Sequence, residues 1–434
     1  MSRKRKKRVS PLSIVLLILL LAALGAVTAV RYKESPARET FAPEQEPASA
    51  APVSAAPAET AGPESTPAPD PTASPENATP SPTPEPEYFT ISMVGDCTLA
   101  EAKTRRGWGS AYQTVVGKNY AYPFANTVDY FRDDYLTIAN LECVLSDKFY
   151  DSIEQFVFLA PAAYANILTE GCVDFVTLAN NHTLDFGQPA YNDTAEALDA
   201  AGVPHAGENE TYLFRRDDGV TIGLYCLYNR LTYNAMSILS APQQEELVAQ
   251  SKDMIRAAAE ELRAQGADYT VACLHMGREG YYETTDSQVD VCRFSIDNGF
   301  DLVYCTHAHR LQPAEEYGGG LIFYGLGNWS FGGHTNPGNG TDPGAYDTGI
   351  AQVTLCRTGE DVTLSGYSFI PCSISSTVDP ETGALNANTL NNYQPTPYTK
   401  DGKAWQRTLS MLNGTYEGAN YNTDYGNVLS AMNG

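Results

Sequence analysis

The residues LANNHTLDFG, 178–187, follow an apolar run, VDFVT, and place Asn180, Asn181, His182 and Asp185 close together. Groups of these types bind metal ions and move protons. Other apolar runs end in comparable residues: MVGD at Asp96, NLE at Glu142, CLH at His275, and CTHAH at His307 and His309. Carboxylates and imidazoles are ligands for Zn²⁺, Mn²⁺ and iron. An asparagine oxygen adds a neutral ligand that suits harder ions. In THAH, the alternation of an extended chain would put His307 and His309 on one side, facing one centre.

Taken singly, each residue has a plainer reading. A lone histidine after a strand is more often structural, Asp96 could cap a helix, and Asn181 could shape a turn. Their coincidence at five strand ends, with four of the chain's six histidines, favours a metal site. His205, in the turn-rich GVPHAGEN, is read as having no chemical role. His334, in the loop FGGHTNPGNG, could cover the site.

The elements that would position these residues are strands alternating with helices. Strand-like runs are FTISMV (89–94), YLTIANLE (135–142), VDFVTLAN (173–180), DYTVACLH (268–275), FDLVYCTHAH (300–309) and GLIFYGLGN (320–328). Over 243–265, Leu247, Met254, Ile255, Ala258 and Leu262 recur at helical steps, and Gly266 stands where a C-terminal cap belongs. This alternation predicts an α/β domain, whose ligands bind beyond the carboxyl ends of its strands. Residues 349–372 predict a closing pair of strands, and a helix near 402–412 packs back on the domain.

The chain has 434 residues, with 28 basic against 52 acidic side chains and a net charge of −24. That balance excludes a nucleic-acid grip, which needs a basic footprint. The nine cysteines include no CxxC pair, so zinc knuckles are excluded and buried free thiols are expected. One disulfide remains open for a domain outside the cell, but an odd count argues against a disulfide framework.

Residues 1–10 form a basic tail, with an unbroken run from Arg3 to Arg8. Residues 11–30 carry no charge and are long enough, at about 30 Å of helix, to cross a bilayer. Basic residues ahead of an apolar span keep the N-terminus in the cytoplasm. The prediction is an uncleaved, single-pass signal anchor with the rest of the chain outside; the rival reading is a cleaved signal peptide, whose apolar core is usually shorter, at about 7–15 residues. Residues 31–87 predict a disordered linker, rich in Pro, Ala and Glu. Residues 88–413 are the folded domain and 414–434 a polar tail.

In order, MVGD, NLE, ANNHTLDFG, HMGRE, THAHRLQP and YGLGNW resemble the bacterial capsule-synthesis family known as CapA or PgsA. That family is associated with poly-γ-glutamate capsules and is related to the calcineurin-like metallophosphoesterases. The resemblance covers about residues 88–413. It implies a four-layer α/β/β/α metallophosphoesterase-like sandwich with metals between its loops. It implies metal ligands at Asp96, Glu142, Asn181, His275, His307 and His309, with Glu142 in the place of a bridging aspartate. His182 would protonate a leaving group, and Asp185 would orient it. Thr98 departs from the phosphoesterase D-x-H pattern, and Cys305, Ala308 and Met276 depart from common neighbours of the ligands.

Two functions follow as expectations. One is a metal-dependent hydrolase or transferase at the cell surface, using one or two divalent ions, Mn, Zn or Fe. The other is a non-catalytic accessory or export subunit of a polymer synthesis complex. Expected partners are the membrane, an anionic polymer and capsule synthesis subunits. Polyglutamate would be repelled by the acidic domain unless a local basic patch, such as Lys103, Arg105 and Arg106, or the metal itself received it.

Overall fold

The computed structural model describes residues 85–418 except 101, 105–106, 109–110, 153–155, 218, 333–340 and 386–389. The expected anchor, nearly all of the linker, His334, Arg105 and Arg106 lie outside the described residues. Among the described residues, no helix is long and apolar enough to cross a membrane.

The chain opens with β1 (Glu87–Cys97), β2 (Ala102–Thr104), β3 (Gly107–Trp108) and α1 (Ala111–Val116). Next come β4 (Leu136–Leu141), β5 (Val144–Leu145), β6 (Val157–Ala160), α2 (Ala165–Glu170), β7 (Phe175–Thr177) and α3 (Gln188–Ala201). The second half begins with β8 (His205–Ala206), β9 (Glu210–Arg215), β10 (Thr221–Leu227), α4 (Tyr233–Ser237) and α5 (Ala241–Ala264). It continues through β11 (Tyr269–His275), α6 (Asp286–Asp297), β12 (Leu302–Thr306), β13 (Ala314–Tyr317) and β14 (Gly320–Phe323). It closes with β15 (Asp347–Thr358), β16 (Asp361–Ser373), β17 (Thr396–Pro397) and α7 (Lys403–Leu412).

Two large sheets result. One has seven strands in the order β17-β16-β15-β1-β4-β7-β8, the other six in the order β13-β14-β12-β11-β10-β9. Each has a parallel part, β1-β4-β7-β8 and β10-β11-β12-β14; antiparallel strands join the first at β1 only and flank the second on both sides. The runs read as strands from the sequence are therefore nearly all apolar for a reason: parallel strands are covered on both faces. In β11, Tyr269, Val271 and Cys273 face one core, while Ala272 and Leu274 face another.

Those cores define four layers. Ile91, Met93, Ile138, Phe175 and Val353 of the seven-stranded sheet pack against Leu224, Val271, Tyr304 and Phe323 of the six-stranded sheet. The outer face of the first sheet, with Val94, Leu141 and Val176, is covered by Ile167 and Leu168 of α2 and Leu198 of α3. The outer face of the second, with Ala272, Leu274 and Val303, is covered by Ile255 and Leu262 of α5 and Val291 of α6. The order is helix, sheet, sheet, helix. Each fully buried Leu or Phe contributes roughly 1.5–3 kcal/mol to this arrangement. Across the centre, the Tyr304 hydroxyl donates to the Val94 carbonyl at 2.5 Å, tying β12 to β1.

Local signals match the elements. Ser240 and Gln243 form a capping box at the start of α5, and Gly266 follows its end with φ +87°. The Asp347 carboxylate, at the head of β15, accepts two hydrogen bonds of 2.7 Å from Arg407, which holds α7 in place. All nine cysteines are free, most of them buried.

Candidate metal centre

Parallel strands bring their carboxyl ends to one edge of each sheet. Asp96 is the second-last residue of β1, Glu142 follows β4, and Asn181 lies beyond β7. From the second sheet come His275, the last residue of β11, and His307, just past β12. The pairing of β1 with β4 slips between Met93 and Asp96, a bulge that re-aims the end of β1. There Gly95 lies against the loop after β14: a Cβ on Gly95 would stand 2.0 Å from the Gly327 carbonyl oxygen. That close approach lets Asp96 pair with Asn328 as a single bridge.

Two overlapping ligand sets result. Glu142, His275 and His307 form one, and Asp96, Glu142 and His309 the other, with the ligand atoms of each within 4.8 Å of one another. Glu142 Oε1 stands 3.6 Å from His275 Nε2 and 4.0 Å from His309 Nε2, so the same oxygen serves both sets. His307 Nδ1 is 3.1 Å from His275 Nε2. Asn181 Oδ1 is 2.6 Å from the same nitrogen, which places it with the first set. His309 Nδ1 is 3.1 Å from Asp96 Oδ2 and 2.9 Å from Asn328 Oδ1.

The H-x-H pair reaches this centre differently from the sequence expectation. β12 stops at Thr306, and His307 and His309 have φ of +97° and +52°. They do not alternate along a strand. A left-handed turn sends His307 to the first set and His309 to the second.

The surroundings suit cations. Asp96 and Glu142 are buried, and among the described residues Glu142 Oε1 and His307 Nε2 find no hydrogen-bond partner. Burial, and then the Asp96 charge, push the Glu142 carboxyl well above the usual carboxylate range. Burial, followed by the neighbouring histidines, pushes His275 and His307 well below the usual imidazole range, so both are neutral ligands. At His309 burial opposes the charged form, but the hydrogen bond and charge of Asp96 outweigh it and raise the pKa. A buried cluster of carboxyl and imidazole groups, with two candidate ligand atoms orphaned among the described residues, fits divalent cations held around Glu142.

Beside it, His182 Nδ1 lies 3.0 and 3.1 Å from the two oxygens of Asp185. The Phe158 amide donates to Asp185 Oδ2 at 2.8 Å, and the Phe158 ring packs edge-on to the imidazole at 4.7 Å. The carboxylate holds Nδ1–H and leaves Nε2 to give or take a proton. The opening cluster of the sequence thus places Asn181, which meets His275, next to His182, which meets Asp185.

The structure adds residues that were not singled out. Asn140 Nδ2 donates to Asp96 Oδ1 at 2.8 Å, and Asn180 Nδ2 donates to Asn140 Oδ1 at 3.0 Å. Thr306 Oγ1 meets His275 Nδ1 at 2.8 Å. Glu279 Oε1 stands 3.7 Å from His307 Nε2. Asn140 and Glu279 sit in the NLE and HMGRE motifs, two positions from Glu142 and four from His275, and that proximity was the available signal. Thr98 is buried and structural: its hydroxyl donates to the Ala100 carbonyl and accepts from the Gly332 amide. His205 meets the Val203 carbonyl and contributes nothing to the centre.

Residues 90–332 match the profile of the family described as bacterial capsule synthesis protein PGA_cap. The capsule biosynthesis protein CapA of Bacillus anthracis is 24% identical over 346 residues, covering 76% of this chain and 78% of that protein. A probable polyglutamine synthesis accessory protein of Mycobacterium tuberculosis is 30% identical over 167 residues, 35% of this chain and 43% of that protein. Among solved structures, the calcineurin-like phosphoesterase YfkN of Bacillus subtilis is 11% identical with a TM-score of 0.38, covering 66% of this chain and 91% of that one.

Proposed function

The chain belongs to the bacterial capsule synthesis protein family, and on that premise we propose that it acts at the cell surface in building a poly-γ-glutamate type capsule or exopolymer. In this reading residues 11–30 anchor it in the membrane, and the centre at the strand ends binds one or two divalent ions, Mn, Zn or Fe. The observation that carries the reading is the pair of ligand sets sharing Glu142.

Bound there, such ions supply Lewis acidity toward a phosphoryl or amide oxygen. The residues of the chain do the rest. Asp96, Asn181, His275, His307 and His309 hold the centre in place through their hydrogen bonds to one another and to Asn140, Thr306 and Asn328. His182 delivers a proton to the leaving group from Nε2, and Asp185 keeps the ring oriented for that transfer. The reaction class is hydrolysis or group transfer on the polymer or its precursor.

A second reading is an accessory subunit that presents the polymer without turning it over. The Pro-rich stretch before residue 88, a spacer between anchor and domain, favours it.

Elemental mass spectrometry of the full-length protein, beside a His307→Ala, His309→Ala double variant, tests the metal reading. One or two equivalents in the parent and loss in the variant are expected. A parent that stays metal-free after incubation with Mn²⁺ or Zn²⁺ would sink it. Turnover of phosphodiester or γ-glutamyl amide substrates by the loaded parent separates the enzyme from the accessory subunit.

A further inference from the structure

An acidic protein that handles an acidic polymer needs a cation that is not already neutralised. Most described arginines are: Arg132, Arg216, Arg256, Arg263, Arg293, Arg357 and Arg407 each close on a carboxylate. Arg310 is buried, and its guanidinium donates to the His309 carbonyl at 2.8 Å. Arg278 is partly exposed and, like Arg215 and Arg230, closes on no carboxylate among the described residues; of the three, it is the one that follows His275 by three positions. Its guanidinium carbon lies 3.7 Å from the ring centroid of Tyr281 and 4.2 Å from that of Tyr233.

Its place in the fold puts it at the rim of the centre. The loop after β11 starts at Met276 and carries Glu279, whose Oε1 reaches to 3.7 Å from His307 Nε2. The Gly280 amide donates to the Ala308 carbonyl at 2.8 Å, fixing this loop to the H-x-H turn. On its other side the loop is bridged at Gly277 to Thr232, and the Tyr233 amide donates to the Gly277 carbonyl at 2.7 Å. The same neighbouring loop carries Tyr228, whose ring lies 5.8 Å from that of His275. Arg278 is three residues from His275, a reach of at most about 11 Å.

Stacking on two rings immobilises a guanidinium through its faces and leaves its in-plane N–H donors for a planar, bidentate acceptor. We propose that Arg278, stacked on Tyr233 and Tyr281, is the anchor for a substrate carboxylate beside the metal centre. A γ-linked glutamate chain bears one free carboxylate per residue, so one residue docks on Arg278 while a neighbouring bond lies at the centre. This anchor rests on the polymer reading above.

The test is fluorescence anisotropy of a labelled γ-linked glutamate oligomer on Mn²⁺-loaded full-length protein, with Arg278→Ala and Arg278→Lys beside the parent. Metal content of each is measured separately. Arg278→Ala should weaken binding at least tenfold with metal content unchanged, and Arg278→Lys should fall between, since it keeps the charge and loses the fork. Equal affinity in parent and Arg278→Ala overturns the anchor and leaves the metal reading standing. A parent that holds metal but binds inorganic phosphate and not the oligomer overturns the carboxylate assignment. A parent without metal fails the function reading itself, and oligomer binding that still depends on Arg278 would then support the anchor alone.

Discussion

His307 and His309 carry their side chains from left-handed backbone, which costs a non-glycine residue on the order of 1–3 kcal/mol. Their neighbours hold that geometry: the His307 amide donates to Asp96 Oδ2 at 3.3 Å, and His309 is fixed by Asp96 and Asn328. His182 is held apart from this set, by Asp185 rather than by a ligand. The two roles are therefore separable. If the loaded protein turns over a substrate, His182→Asn should lower kcat by about 10²–10⁴ while metal content stays unchanged. Loss of metal with the imidazole would instead make His182 a ligand. At this scale the sequence was informative because Asp, Glu, Asn and His at strand ends have few purposes. It did not single out Asn140 or Glu279, since a hydrogen bond to a ligand leaves no residue-type signature.

The elements decide where those side chains meet. β1 ends in a bulge, and Gly95 presses against the Gly327 carbonyl, so the end of one sheet touches the loop that follows β14 of the other. Gly95→Ala would drive a Cβ into backbone, and the flexible-side-chain escape is closed. The expected outcome is Mn²⁺ affinity at least tenfold weaker by titration calorimetry, because Asp96 and Asn328 separate. Unchanged affinity would show that the contact does not position the centre. Strand and helix identities were legible from apolar runs and helical spacing, as in α5 and in the β15–β16 pair. The end of β12 was not: the run through His309 reads as continuous strand, and only the turn at His307 breaks it.

Across the whole molecule, the two sheets share one apolar interior while polar ties sit at its margins. One tie joins three strands' surroundings: Asp134, just before β4, accepts from Ser92 of β1, which also accepts from Gln352 of β15 at 3.1 Å. Burial, against those hydrogen bonds and with Asp174 and Asp133 adding, raises Asp134 from 3.8 to about 6. The folded state therefore holds this proton more tightly than the unfolded chain. Its contribution is fully present below the unfolded pKa and is lost as pH rises through about 6. After discounting for solvent screening the loss is on the order of 1 kcal/mol. Asp134→Asn should gain about 2 °C in Tm relative to the parent between pH 4 and pH 7. A difference that does not change with pH would remove Asp134 from the stability of the fold. The sequence by itself determined the α/β class, the acidic character and the residue types of the centre, because periodicity, charge and ligand chemistry are local properties. Tertiary structure alone decided that Glu142 belongs to two candidate ligand sets, that the H-x-H pair divides between them and that Arg278 closes on no carboxylate among the described residues. Each of those depends on distances between strands, and two sheets fix such distances only once their shared core has packed.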